Sequence, residues 1–180
     1  MATKLTTNVR KDNNYSQGGA RTNVIAFPTF GANGVTPLAQ YTPADGTGPI
    51  TAIDLGNEKP VVLECEKDKV AGTFPTQFGA STYIKQAMGL VLAGASKEKN
   101  TAAKAIDLTD HTYIVADRRG KFWLFGQLNG LRAAKNDGGL GSASGDLNGY
   151  DISVEGAEND RPLELTKECY NTLTQLVTVD

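Results

Sequence analysis

"ADRRGKFWLFGQLNGL", residues 116–131, decides how this chain is read. An apolar run, "TYIVAD" (112–117), meets a second, "KFWLFGQL" (121–128), across the charged break Asp117-Arg118-Arg119-Gly120, and the second run stops at Asn129-Gly130. Two alternating runs joined by a short Gly-containing turn predict a β-hairpin. In its second strand Phe122, Leu124 and Gly126 share one face, while Lys121, Trp123, Phe125 and Gln127 share the other. Both faces are apolar at the centre. A strand of that kind is covered on both sides. The expectation is a sandwich core on one side and a helix or neighbouring subunit on the other.

Working outward, "ITAIDL" (50–55) and "PVVLECE" (60–66) alternate as strands around Gly56-Asn57-Glu58-Lys59, which has the composition of a hairpin turn. "ASTYIKQAMGLVLAGA" (80–95) fits two spacings. Ile84, Ala87, Met88, Val91 and Leu92 suit a helix, and Ile84, Gln86, Met88, Leu90 and Leu92 suit a strand; Gly89 weakens the helix. "KEKNTAAKAIDL" (97–108) is the best helix, with Ala102, Ala103 and Ile106 as its packing stripe. "GYDISVEG" (149–156) alternates again, and the last segment, 167–179 included, is open between strand and helix. Short connections imply antiparallel neighbours. The fold expected is mainly β (α+β): an antiparallel β-sandwich or small barrel with one flanking α-helix and an extended N-terminal arm.

That arm is residues 1–48, and the assembly domain is 49–180. The arm is rich in Thr, Asn, Gly and Pro, with Lys4, Arg10, Lys11 and Arg21 against Asp12 and Asp45. Its apolar patch is Val24-Ile25-Ala26-Phe27, followed by Phe30. Alone, such a segment buries too little to offset the entropy of ordering it. Two readings follow: a solvated tail, or an arm that orders on a partner. The second makes Val24, Ile25, Phe27 and Phe30 candidate subunit-interface residues, with Trp123 and Phe125 from the hairpin.

The totals narrow the function. A chain of 180 residues makes one ordinary domain and needs no disulfide to fold. With 18 basic and 20 acidic residues, its formal net charge of −2 disfavours a free-standing nonspecific DNA binder. Cys65 and Cys169 are too far apart in sequence for a redox pair and read as reduced, partly buried thiols. The N-terminus has no apolar signal region, and no window approaches a membrane span. These features predict synthesis in a cytoplasm and no membrane anchor.

No catalytic constellation is legible. His111 is the single histidine and reads as a turn residue. Asp107, Asp110 and Asp117 flank a turn, and Asp137, Asp146 and Asp151 lie among glycines without the spacing of a calcium loop. "GGLGSASG" (138–145) lacks a phosphate-loop ending. Lys97, Lys99, Lys104, Arg118, Arg119 and Lys121 read as a solvated surface or as a patch that meets an acidic face or nucleic acid. The expectation is no enzyme, no cofactor and no metal.

Over residues 113–165 the chain resembles a family of small virion proteins from tailed phages of Bacteroidetes hosts. The motifs carrying the likeness are Asp117–Lys121, Phe122–Gly126, Asn129–Leu131, Gly145–Tyr150, Asp151–Gly156 and Glu158–Pro162, in that order. The family's turn is Asp-Arg/Asn-Asn-Gly-Lys; here an arginine, Arg119, stands in its middle. The upstream "ITAIDL" and "VVLECEKD" fit more loosely, and the arm does not fit. The resemblance implies a tail tube subunit: a β-sandwich with a flanking helix, assembling with itself into stacked hexameric rings around the channel through which DNA leaves. Its partners would be copies of itself, other tail or head proteins and DNA in passage, and its location the virion. Related folds serve as capsid decoration, head–tail connectors and tail terminators. A small β-class ligand-binding module or enzyme is the contrasting reading. A conduit for DNA further implies a neutral or acidic lumen, with Glu64, Glu66, Asp68 and Asp151 as candidates.

Overall fold

The hairpin forms where its sequence places it: β8 (His111–Asp117) pairs antiparallel with β9 (Phe122–Phe125), with Val115 opposite Trp123 and Ile114 opposite Leu124. The computed structural model describes residues 8–9, 17–44 and 48–177. Among them the hairpin sits inside a five-stranded antiparallel sheet. Its other strands are β1 (Ala20–Pro28), β4 (Val61–Glu64) and β12 (Leu163–Leu165), in the order β12-β9-β8-β1-β4. A second antiparallel sheet has the order β10-β11-β7-β5. It comprises β5 (Ala71–Thr73), β7 (Tyr83–Ala93), β10 (Arg132–Gly139) and β11 (Gly149–Glu158), with β6 (Thr76–Gln77) also on β7. A two-stranded ribbon, β2 (Gln40–Thr42) with β3 (Ala52–Asp54), completes the strands. The sheets stay open and stack as a sandwich; neither closes into a barrel.

Two cores lie on opposite faces of the first sheet. Between the sheets, Val24, Tyr113, Val115 and Phe125 meet Met88, Leu90, Ile152 and Val154. On the outer face, Ile25, Phe27, Ile114 and Leu124 meet Ile50, Leu55, Cys169 and Leu173. The period of two sends alternate residues of β1, β8 and β9 to different cores.

Each core is closed by a helix whose start the sequence specifies. α1 (Lys97–Leu108) begins at Ser96, whose hydroxyl accepts from Lys99 N at 3.2 Å, and it buries Ala103 and Ile106 in the core between the sheets. α2 (Lys167–Leu176) begins at Thr166, whose hydroxyl accepts from Cys169 N at 3.3 Å. It buries Cys169 and Leu173 in the outer core, and its Tyr170 ring stacks on Phe122 at 4.3 Å. The cover expected on the second face of β9 is thus supplied by this chain's own C-terminal helix. The terminal segment, open between strand and helix, is β12 followed by α2, so the sandwich carries two helices rather than one.

Two expectations change and one open choice is settled. Residues 20–28 are not part of an arm: β1 lies between β8 and β4, with Ile25 opposite both Ile114 and Val62. The polar composition around it hid a strand whose cover comes from distant sequence. Residues 1–7, 10–16 and 45–47 of the expected arm lie outside the described residues. The hairpin expected from 50–66 does not form either. β3 pairs with β2, and β4 pairs with β1, because the turn at Gly56 reverses the chain without pairing its flanks. Finally, 83–93 is strand throughout. Ile84, Gln86, Met88, Leu90 and Leu92 face inward, and Gly89 lies opposite Ser153 and Ala71 on the outer face.

If β1 is a central strand, Ile25→Ala should destabilise the chain by about 2–5 kcal/mol, the usual cost of opening a cavity in a packed core. Urea unfolding measures this directly. An unchanged midpoint would return residues 20–28 to the status of an arm.

Candidate functional site

A cavity opens between the two sheets beside the hairpin turn. Trp123, Phe125, Val115, Ala71, Phe74 and Pro162 wall a cleft of about 580 Å³, with Asp117 and Arg161 at its rim. Gly72 is required where it stands, since a Cβ there would come within 2.6 Å of Phe125 Cζ. Asp117 organises the rim. Its Oδ1 accepts from Arg119 N and Lys121 N, both at 2.9 Å, and its Oδ2 accepts from Trp123 Nε1 at 3.1 Å. Burial pushes this carboxyl upward, but the N–H donors of Lys121, Trp123 and Arg119 outweigh it and hold the group below the usual aspartate range. Its acceptor capacity is spent on the turn, leaving an apolar cleft without a converging set of polar groups.

A second cavity, about 480 Å³, lies at the other end of β8. Pro28, Phe30, Leu38 and Leu108 form its apolar part, and Glu58, Asp110 and Arg132 its polar part. Arg132 grips Asp110 with two parallel bonds of 3.0 Å. Phe30 bridges to Pro37 and is half-buried, while Leu108 is 65% exposed.

The interface candidates therefore separate. Val24, Ile25 and Phe27 are no more than 1% exposed, spent on this chain's own cores, and cannot bury against a neighbour. Phe125 is buried too but forms the floor of the first cleft. Trp123 and Phe30 are half-buried, one in each cavity.

A buried polar cluster joins the sheets close to the second cavity. Glu158, 3% exposed, accepts from the backbone N–H groups of Leu128, Asn129 and Gly130 at 3.0, 2.9 and 3.2 Å. Burial raises its carboxyl above the ordinary range against the pull of those three donors, and nearby Asp160 adds to the rise. Gln86 accepts from Gly126 N and donates to Asp160 O, both at 2.8 Å. Thr112 donates to Gly126 O and shares a 2.9 Å bond with Thr29. Sequence reading gave Glu158 and Gln86 no role as buried polar groups. The signal was present, since each polar residue occupies an inward position of an alternating strand: Ile84-Gln86-Met88 and Ile152-Val154-Gly156-Glu158.

Most of the remaining groups are committed locally. His111 Nδ1 lies 2.9 Å from Thr109 O, and burial lowers its pKa against the influence of that carbonyl and of Asp110. Lys99, Arg118, Arg119 and Lys121 each hold a partner within the chain. Asp107 receives Asn136, Asp146 receives Ser142 and Ala143, and Lys135 bridges Asp137 and Asp151. Burial pushes the Cys65 thiol up to about 11, so it is un-ionised at neutral pH. The Tyr113 hydroxyl is wholly buried without a hydrogen-bond partner and stands inside the core. Among the described residues no group of three or more His, Cys, Asp or Glu could hold a metal ion. No helix of the described residues is long and apolar enough to cross a membrane.

The Asp117 turn gives a pH signature. A carboxyl depressed in the folded state contributes stability above its unfolded pKa, about 3.9, and loses it as pH falls through the folded value. Trp123 fluorescence should hold steady from neutrality down to that range and change below it. Asp117→Asn should remove this dependence. A transition near neutrality would contradict the assignment.

No family model, curated protein or solved structure matches this chain, so the site is interpreted from its own residues.

Proposed function

We propose that this chain is a structural subunit of a tailed-phage virion, specifically a tail tube subunit that assembles with copies of itself into stacked rings around the DNA channel. The observation that carries the reading is the outer face of the second sheet. Register places Thr73, Lys85, Ala87, Gly89, Val91 and Ser153 there, mostly small side chains that belong to neither core. Its cations are matched by carboxylates: Lys85 lies 3.0 Å from Glu155, and Lys135 lies 2.8 Å from Asp151. A channel wall that gripped phosphates would retard DNA, and paired charges avoid that. Of the acidic residues expected at a lumen, Asp151 lies on this face; Glu64 is on β4, and Glu66 and Asp68 follow it in a loop.

The resemblance over 113–165 supports the same reading. Its motifs fall on the end of β8, on β9 and β11, and on the connections that lead into β10, β11 and β12, so they touch both sheets. The contrasting reading, a ligand-binding module, draws on the 580 Å³ cleft at Trp123, whose size suits a small apolar ligand.

Light scattering followed by negative-stain imaging of the purified chain separates the two. The expected result is particles many times the 19.1 kDa subunit mass, seen as rings or tubes. A uniform monomer whose Trp123 fluorescence is altered by apolar ligands would favour the second reading and contradict the first.

A further inference from the structure

The two ends of β8 differ in charge and in shape. At the Asp117 end, register brings the β8–β9 turn beside Gly19–Ala20 and the 66–69 loop, where Arg118 pairs with Asp68. Arg21, Lys67, Asp68 and Arg118 share one cavity there, and Arg119 and Lys121 stand exposed on the turn. At the His111 end Glu58 and Asp110 rim the cavity with Arg132; Arg132 grips Asp110, and the Glu58 carboxylate has no ion-pair partner among the described residues. The basic end projects a tight turn, with Gly120 at positive φ and Arg119 and Lys121 exposed. The acidic end holds a concavity of about 480 Å³, floored by Phe30, Leu38 and Leu108 and rimmed by Glu58 and Asp110. Beside it Val35 is 76% exposed and Leu108 65% exposed.

We propose that the β8–β9 turn of one copy seats in the acidic socket at the opposite end of β8 in the next copy. The alkyl stems of Arg119 and Lys121 cover Leu108 and Phe30, and their charged heads meet Glu58, since Asp110 is already held by Arg132. Plug and socket lie about 20 Å apart along one strand, so they cannot meet within a chain. The contact is heterologous: every copy offers one plug and one socket, and repetition closes a ring or extends a row. The proposal rests on the reading that the chain assembles with itself, and it names the surfaces that do so. Being electrostatic at its rim, the contact weakens with salt.

Charge reversal tests it on the full chain. Arg119→Glu with Lys121→Glu gives copies acidic at both ends, and Glu58→Lys gives copies with a basic socket. Each variant should melt near the wild type and associate at least about tenfold more weakly at low salt, read by sedimentation velocity. Mixing the two variants in equal amounts should restore association, because each plug then finds an opposite socket. If the wild type assembles and the variants assemble equally well, or if mixing restores nothing, the plug-and-socket contact is overturned while self-assembly stands. If the wild type stays monomeric at every salt concentration, both are overturned.

Discussion

The structure depends on one constraint: the β9-β8-β1 part of the first sheet is covered on both faces. Ile25, Ile114 and Leu124 point to the outer core, and Val24, Val115 and Phe125 point between the sheets. A one-residue slip in register would exchange these sets and place every side chain in the wrong core. Register is therefore pinned from two sides at once. Irregularity is confined to the end of β1, where the pairing with β8 shifts between Ala20 and Val24. The second helix and the β2–β3 ribbon follow from the same constraint, since an apolar outer face requires a cover.

The polar cluster around Glu158 holds the sheets together where apolar packing ends. Gly130 has positive φ, and a Cβ there would sit 2.8 Å from that of Asp110, so the loop runs close against the β8 entry. Its N–H groups face inward and would be orphaned without Glu158. Leaving a buried donor unpaired costs about 1–3 kcal/mol, and one carboxylate satisfies three. This arrangement fixes the loop that carries Arg132 to Asp110 and so shapes the acidic socket. Stability at that end is thus linked to the surface proposed to meet another copy.

Much of this was legible in the sequence, and the misses share a physical cause. The β8–β9 hairpin, α1 and β11 announce themselves by local periodicity, and Trp123 falls on the face its alternation gives it. β1 did not, because four consecutive buried residues, Val24 to Phe27, show no alternation when both faces are covered. Partner choice was equally hidden. The turn at 56–59 predicts a reversal, but β4 is drawn to β1 because Val62 and Leu63 serve different cores. For the site, the aromatic content of β9 pointed to a doubly covered strand and a subunit interface, whereas the second cavity brings Phe30, Glu58, Leu108 and Arg132 together from four separate segments. No local pattern marks such a meeting.

On the proposed reading the chain works through surfaces rather than catalytic groups: a charge-matched sheet face, an apolar cleft, and two unlike ends. All of them hang on the doubly covered strands. Native-state hydrogen exchange tests that claim most directly. The amides of Ile25, Ala26, Ile114, Val115 and Leu124 should be among the slowest to exchange and should share one opening free energy, that of global unfolding. Amides of residues 24–27 exchanging by a separate, easier opening than those of β8 would contradict the account and detach β1 from the core.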